Sequence, residues 1–365
     1  MKIIAVLHFI GLCCVTALPP AHTSDDGAYG GISAQGVLAY MRDGWQTIRD
    51  LVPELRDPDI IRNVSHAYNL GRLEYVKHSY GKLLERGVSC PSCKPFYNLT
   101  HYDTDITEDF GSFLFAHGLA YLNCCVQSHN EDPAVGQREV MPLLQVLNTH
   151  RFNPHLYKIA TSYRMGQVAA QLLQVPSVRL YQSAMFIKDD NELNQETVYH
   201  NDLNMIPLDT GPGNYLTFWC PIRRLEHSMG DSMLKFAHGS QRDLTFRHWY
   251  QPQLLYSADE IIARYGIGTP AYLDVGDCTA HSGWVLHGAS QQPGTRPPRM
   301  ALGFGFVASD ATVMMYNGNP RKVRNFPDED EISYGPWLPD LEEGQVIDHP
   351  LLPIVYPKIV PPQGT

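Results

Sequence analysis

The residues with the clearest chemistry are His200-Asn201-Asp202 and, far downstream, His287 within Trp284-Val285-Leu286-His287-Gly288. Residues i and i+2 of a β-strand project from one face, so a strand over 197–203 would deliver an imidazole and a carboxylate to a common point. His287, on a later β-like run over 284–287, offers a third ligand. Two histidines and one carboxylate form the facial triad of non-haem Fe(II) oxygenases, which leaves positions open for a co-substrate and O2. No thiolate joins them to favour zinc. Among 16 histidines a lone His-x-Asp is weak evidence, and the arginine that follows gives it weight. Arg299 lies across a Pro/Gly-rich turn from His287 and opens the apolar run Met300-Ala301-Leu302-Gly303-Phe304. A guanidinium there can grip a carboxylate bidentately, which suits a dicarboxylate chelating the metal by its other end. Arg296, just before Pro297-Pro298, reads as a solvated turn residue.

The elements that must position these groups change in character along the chain. From Ser33 to about Ala120 apolar residues recur every three or four positions: Val37, Tyr40, Met41, Ile48, Leu51 and Val52, then Leu70, Leu73, Val76, Leu83 and Leu84. That spacing predicts amphipathic helices. Asn153-Pro154 precedes another helix, Leu156 to Leu173. Beyond Pro176 come short β-like runs over 177–187, 197–203, 215–222, 271–273, 284–287 and 300–307, parted by turns such as Gly211-Pro212-Gly213 and Gly276-Asp277. Helices first and short strands later predict a mainly β fold with α elements, a double-sheet barrel buttressed by N-terminal helices. The expected divisions are a signal peptide over 1–18, a helical region over 19–150 packing on the core, a barrel over 151–310 and a loop-rich tail over 311–365.

The first 18 residues set the compartment. One lysine, an apolar stretch from Ile3 to Leu18 and the small-residue pattern Val15-Thr16-Ala17 are the parts of a secretory signal peptide. The stretch is shorter than the roughly 20 residues of a spanning helix, and no membrane span is expected after its removal. The sequons Asn63-Val64-Ser65 and Asn98-Leu99-Thr100 fit a secreted or lumenal glycoprotein. Cys90, Cys93, Cys124, Cys125, Cys220 and Cys278 remain, an even number compatible with disulfides. Cys90-Pro91-Ser92-Cys93 sits in a Pro-rich connector and reads as a staple before a redox motif. With 28 Lys plus Arg against 38 Asp plus Glu and no basic run, nucleic acid is excluded as a partner, and a small-molecule substrate is expected.

From about Phe152 to Val307 the chain resembles the phytanoyl-CoA dioxygenase family of Fe(II)/2-oxoglutarate-dependent oxygenases. The likeness is carried by Val168–Leu173 leading to Val178-Arg179-Leu180-Tyr181-Gln182, by His200-Asn201-Asp202-Leu203-Asn204, and by Leu216-Thr217-Phe218-Trp219. It continues through Phe236-Ala237-His238-Gly239-Ser240, Gly276-Asp277, Gly283–Gly288 and Arg299. The resemblance implies a double-stranded β-helix (jelly-roll, cupin-like) core, with His200, Asp202 and His287 as iron ligands and Arg299 on the 2-oxoglutarate carboxylate. It further implies O2 as co-substrate, ascorbate as an accessory reductant, and hydroxylation of a C–H bond with release of succinate and CO2. An aspartate at position 202, where halogenating relatives carry a small residue, implies a hydroxylase. The family pattern carries Gln-Asp and His-Gly-Ser where this chain has Gln182-Ser183 and Gly288-Ala289.

Gln182 points into the same barrel by strand alternation and is a candidate co-substrate contact. Trp219 is a candidate pocket wall, with plain core packing as its competing role. His281 reads as a group supporting the ligands and His238 as a turn residue. No acid or base apart from the iron site is expected to be catalytic. The substrate expected is small or lipid-like and organic. The reading from another class is a non-catalytic secreted binding protein that reuses the barrel.

Overall fold

The computed structural model describes residues 31–64, 144–151, 153–188, 196–206, 208–209, 214–243, 258–314 and 341–357. The signal stretch, the periodic segment over 70–84, Cys90, Cys93, Cys124, Cys125 and the Asn98 sequon lie outside them, as do Ser65 and most of the C-terminal tail.

Three described helices begin on side-chain caps. In α1 (Ala34–Asp43) the Ser33 hydroxyl accepts from the Gly36 N–H, and Gly44 ends the helix at φ 83°, a conformation that costs glycine little. Leu156 to Leu173, expected as one helix, is two: α2 (Pro154–Ala160) and α3 (Tyr163–Leu173). Ser162 accepts from the Met165 N–H and restarts the chain as a second N-cap, a local competition that periodicity does not register. A fourth helix, α4, covers Ala258–Arg264.

The strands in chain order are β1 (Trp45–Ile48), β2 (Leu144–Leu147), β3 (Val178–Lys188), β4 (Thr197–His200), β5 (Leu208–Asp209), β6 (Tyr215–Pro221), β7 (Leu225–Glu226) and β8 (Leu234–Ala237). After them come β9 (Ile267–Gly268), β10 (Tyr272–Leu273), β11 (Cys278–Ser282), β12 (His287–Ala289), β13 (Arg299–Ala308), β14 (Thr312–Val313) and β15 (Ile354–Tyr356). The larger sheet runs β1-β11-β6-β13-β3-β15, with β2 also on β3, and the smaller runs β4-β12-β8-β9. The pairings are antiparallel, and the fold is the expected double-stranded β-helix.

Alternation along the strands explains how the sheet divides two environments. Leu180, Leu216, Phe218, Phe304 and Phe306 form one buried cluster with Met165, Val168 and Leu172 of α3. Trp219, Phe186 and Ala301 pack instead with Leu234, Phe236 and Ala289 of the smaller sheet. The second face carries the site.

Two expectations are corrected here. Ile48 was expected on a helix but lies in β1, and Pro53–Arg56 is a short 3-10 turn. The edge of β11 captures the segment, with Trp45 opposite His281 and Ile48 opposite Cys278. The tail was expected as surface loop, yet β15 pairs with β3, and Ile347, Leu352 and Val355 are buried. Arg179, buried itself, fixes this segment by donating to the Leu352 carbonyl and pairing with Asp348 at 2.7 Å. Strands from both flanks of the expected barrel therefore complete its larger sheet.

Cys220 of β6 and Cys278 of β11 form a disulfide between adjacent strands, on the face turned to the helices. It closes a sequence separation of 58 residues. Replacing both by alanine is expected to cost about 2–4 kcal/mol by restoring freedom to the unfolded chain. The denaturant midpoint measures this, and an unchanged midpoint would contradict it.

Candidate metal centre

The two predicted histidines sit at strand ends, and the predicted aspartate lies just beyond one. The sequence reading placed His200 and Asp202 on one strand; β4 stops at His200, and Asp202 opens a 3-10 turn over Asp202–Met205. Likewise 284–286 forms a turn and short link, and His287 begins β12. His287 lies directly opposite His200 in the β12–β4 pairing, which brings the two rings to 4.4 Å between centroids. The juxtaposition of the histidines is thus cross-strand, and the carboxylate arrives by the turn.

One ligand atom from each of His200, Asp202 and His287 falls within 4.8 Å of the others. The ring nitrogens are already assigned roles by their neighbours. His200 Nδ1 lies 2.9 Å from the Val198 carbonyl and His287 Nδ1 lies 3.1 Å from the Val285 carbonyl. A carbonyl only accepts, so each Nδ1 carries the proton and donates, leaving Nε2 with a lone pair in the neutral ring. These Nε2 atoms face Asp202 Oδ1, at 4.0 Å from His200 and 3.5 Å from His287. Burial, then the neighbouring His200, hold His287 well below its usual value, at about 3, so its neutral form is the stable one. Two lone pairs and a carboxylate oxygen converging without a proton among them form a donor set that a divalent cation satisfies.

The other carboxylate oxygen is occupied. The Thr217 hydroxyl donates to Asp202 Oδ2 at 2.6 Å, and His281 Nε2 lies 3.3 Å from the same atom. Thr217 and His281 are themselves cross-strand partners in the β6–β11 pairing. Burial alone would raise the Asp202 carboxyl, but the surrounding imidazoles, His287 first and then His281 through its hydrogen bond, hold it well below the usual carboxylate range. Oδ2 is therefore anchored by protein, and Oδ1 faces the two imidazole Nε2 atoms. Thr217 has no signal in the sequence as a site residue, because its contact with Asp202 depends on the fold. His281, read as a supporting group, lies behind Asp202.

Thr217→Val removes one anchor with little change in volume. Metal affinity is expected to fall about 10- to 100-fold, the usual loss when a ligand's supporting hydrogen bond goes. An Fe(II) competition titration on the folded variant measures it, and an affinity within twofold of wild type would contradict the clamp.

The remaining predicted residues lie on the same sheet face. Arg299 is buried at the start of β13; its Nη1 donates to the Ser232 carbonyl and reaches the Ser232 hydroxyl, and its Cζ lies 5.2 Å above the Trp219 ring. Trp219 is thus both core and the platform under the guanidinium. Gln182 donates to the Tyr215 hydroxyl at 3.2 Å, while its Oε1 is buried without a hydrogen-bond partner among the described residues. Gly305, opposite Gln182, permits that arrangement, since a Cβ there would collide with the Tyr215 hydroxyl. Arg296, expected to be solvated, pairs with Asp231 at 2.8 Å. His238 lies in a turn as expected, and its Nδ1 accepts from Trp45 Nε1. Side-chain exposure of 32% at His200 against 6% at His287 places the open side of the centre by His200.

No protein-family profile matches the chain, and no curated protein matches it. Solved structures do. The non-heme alpha ketoglutarate dependent carbocyclase SnoK from nogalamycin biosynthesis aligns at 15% identity over 90% of this chain and 99% of its own, with a TM-score of 0.53. The non-heme alpha ketoglutarate dependent epimerase SnoN from the same biosynthesis aligns at 15% identity over 87% of this chain and 96% of its own, with a TM-score of 0.50. This chain shares their fold.

Proposed function

We propose that the protein is an Fe(II)- and 2-oxoglutarate-dependent oxygenase, related to the phytanoyl-CoA dioxygenases, that hydroxylates a C–H bond of a small or lipid-like organic substrate. The observation that carries this reading is the convergence of His200 Nε2, His287 Nε2 and Asp202 Oδ1, each turned inward by a hydrogen bond on its other polar atom. The shared fold with two non-heme alpha ketoglutarate dependent enzymes supports it. So does the donor set, since imidazole and carboxylate suit Fe(II) and no thiolate competes.

The bound iron would supply the redox chemistry that couples oxidative decarboxylation of 2-oxoglutarate by O2 to oxidation of the substrate. The balance is one C–H bond, one O2 and one 2-oxoglutarate giving one C–OH bond, one succinate and one CO2. The chain's own contributions are separable. His200, Asp202 and His287 would hold the metal. Arg299, over the Trp219 face, binds the far carboxylate of the co-substrate and so sets its direction. Phe236, 6.0 Å from His287 and 5.4 Å from His281 between ring centroids, walls the centre with apolar surface and limits water.

The location proposed is the secretory pathway, the lumen or outside the cell. The Cys220–Cys278 disulfide supports an oxidising compartment, and no helix among the described residues is long and apolar enough to cross a membrane.

Succinate release from 2-oxoglutarate, dependent on added Fe(II) and O2, tests the reading. Slow release is expected without substrate, and a metabolite screen should then find a compound that accelerates it and gains one oxygen. Absent turnover in folded protein, with the screen negative, would favour the non-catalytic binding protein, and Fe(II)-independent turnover would contradict the iron site. A product without added oxygen would move the chemistry toward epimerisation or ring closure.

A further inference from the structure

Asp231 lies in the turn before β8, and its carboxylate is fully buried. Its Oδ1 accepts from Arg223 Nη2 at 2.9 Å, Arg296 Nε at 3.1 Å and Gln292 Nε2 at 3.3 Å. Its Oδ2 accepts from Arg296 Nη2 at 2.8 Å and from the Glu226 N–H at 2.9 Å. Burial opposes the charge, yet the hydrogen bonds from Arg296 and Arg223 hold the carboxyl well below the usual carboxylate range, so it stays ionised.

The donors gathered on Asp231 lead to both ends of the Arg299 side chain. Arg223 Nε donates to the Pro298 carbonyl at 2.8 Å, and its Nη2 donates to the Pro297 carbonyl at 2.7 Å. Gln292, itself fully buried, donates from Nε2 to the same Pro297 carbonyl at 2.7 Å. These two prolines immediately precede Arg299, so the bonds fix the backbone from which its side chain departs. At the far end, Gln292 Oε1 accepts from the Ser232 N–H at 2.9 Å. The Ser232 hydroxyl donates to the Ser290 carbonyl, so toward Arg299 its oxygen accepts. Arg299 Nη1 meets the Ser232 carbonyl at 3.1 Å and this hydroxyl at 3.2 Å. One buried carboxylate thus ties down the root and the tip of the arm.

We infer that Asp231 is a positioning residue, which holds Ser232 and the Pro297-Pro298 turn in the arrangement that aims Arg299. The inference rests on the proposed function, in which Arg299 takes the far carboxylate of the co-substrate, and adds the group that sets its direction. Direction matters because a planar guanidinium fork meets a carboxylate well in few orientations. Neutralising Asp231 leaves Arg223 and Arg296 without the charge that gathers them, and a buried network of this kind loosens as a unit.

The test is anaerobic titration of folded, Fe(II)-loaded protein with 2-oxoglutarate and with 2-oxobutyrate, which lacks the carboxylate that Arg299 would hold. Asp231→Asn keeps the volume and drops the charge. It is expected to weaken 2-oxoglutarate about 10- to 100-fold, the usual loss when a binding group's support goes, with 2-oxobutyrate and Fe(II) affinity unchanged. In uncoupled succinate release the apparent KM for 2-oxoglutarate should rise by the same factor while kcat at saturation holds, the signature of lost uniform binding. Ser232→Ala removes one of the two oxygens facing Arg299 and should act in the same direction with a smaller effect. Equal weakening of the two acids by Asp231→Asn would assign Asp231 to the fold alone. A 2-oxoglutarate affinity within about twofold of wild type would show that Arg299 is aimed without it. Either result overturns the inference and leaves the oxygenase reading standing, whereas wild-type protein that binds Fe(II) and neither acid would overturn both. Should Asp231→Asn not fold, Gln292→Met, which cuts the tie to Ser232 and spares the Asp231–Arg296 pair, is read the same way.

Discussion

Alanine at His200 or at His287 is expected to abolish both Fe(II) retention and 2-oxoglutarate turnover, with metal affinity falling by more than about 100-fold. Each imidazole supplies one of three protein ligands, and its Nδ1 hydrogen bond has no other purpose than to aim Nε2. The two variants should differ in stability. His200 is part-exposed, so its truncation leaves the core intact. His287 is buried against Phe236 and His281, and its loss opens a cavity and strands Asp202 Oδ1. His287→Ala should therefore lose stability by about 2–4 kcal/mol as well as metal. Metal content after dialysis and a denaturant curve separate the effects. Succinate production that persists in folded His200→Ala would show that the ligand set is wrong.

Arg299→Ala carries the second large effect. The guanidinium is buried, anchored to Ser232 and stacked over Trp219, so little of its binding energy is spent on ordering it. Removing one partner of a buried charge pair costs about 3–5 kcal/mol, so 2-oxoglutarate affinity is expected to fall about 10²- to 10⁴-fold. Fe(II) affinity should not change. Lysine at 299 should recover only part, because an ammonium has neither the fork nor the flat face that meets Trp219. Equal loss of Fe(II) and 2-oxoglutarate affinity would mean that Arg299 supports the fold and not the ligand.

The candidate ligand set was legible in the sequence because three residue types with one coordination chemistry stand in order along the β-like runs. The route by which they meet was less accessible. His200 and Asp202 were placed together by strand alternation, whereas a turn delivers Asp202 and the hydroxyl of Thr217 pulls it into position. Thr217 and His281 lie on neighbouring strands that pair only once the sheet has formed, so their joint hold on Asp202 leaves no local trace. Asp231 was invisible for a related reason. An aspartate after Met229-Gly230 looks like a solvent-exposed turn residue, and only its pairing with Arg223 and Arg296 reveals it as interior. Ile48 looked helical because it falls in the apolar series from Val37 to Val52 at helical spacing, yet the open edge of β11 decides its conformation. Tertiary pairing overrode local pattern in each case.

Anaerobic titration of the folded protein with Fe(II) and then 2-oxoglutarate tests the central claim most directly. A weak visible metal-to-ligand charge-transfer band is predicted, saturating at one 2-oxoglutarate per protein and absent from His200→Ala. A folded wild-type protein that gives no band at saturating Fe(II) and 2-oxoglutarate would contradict the account.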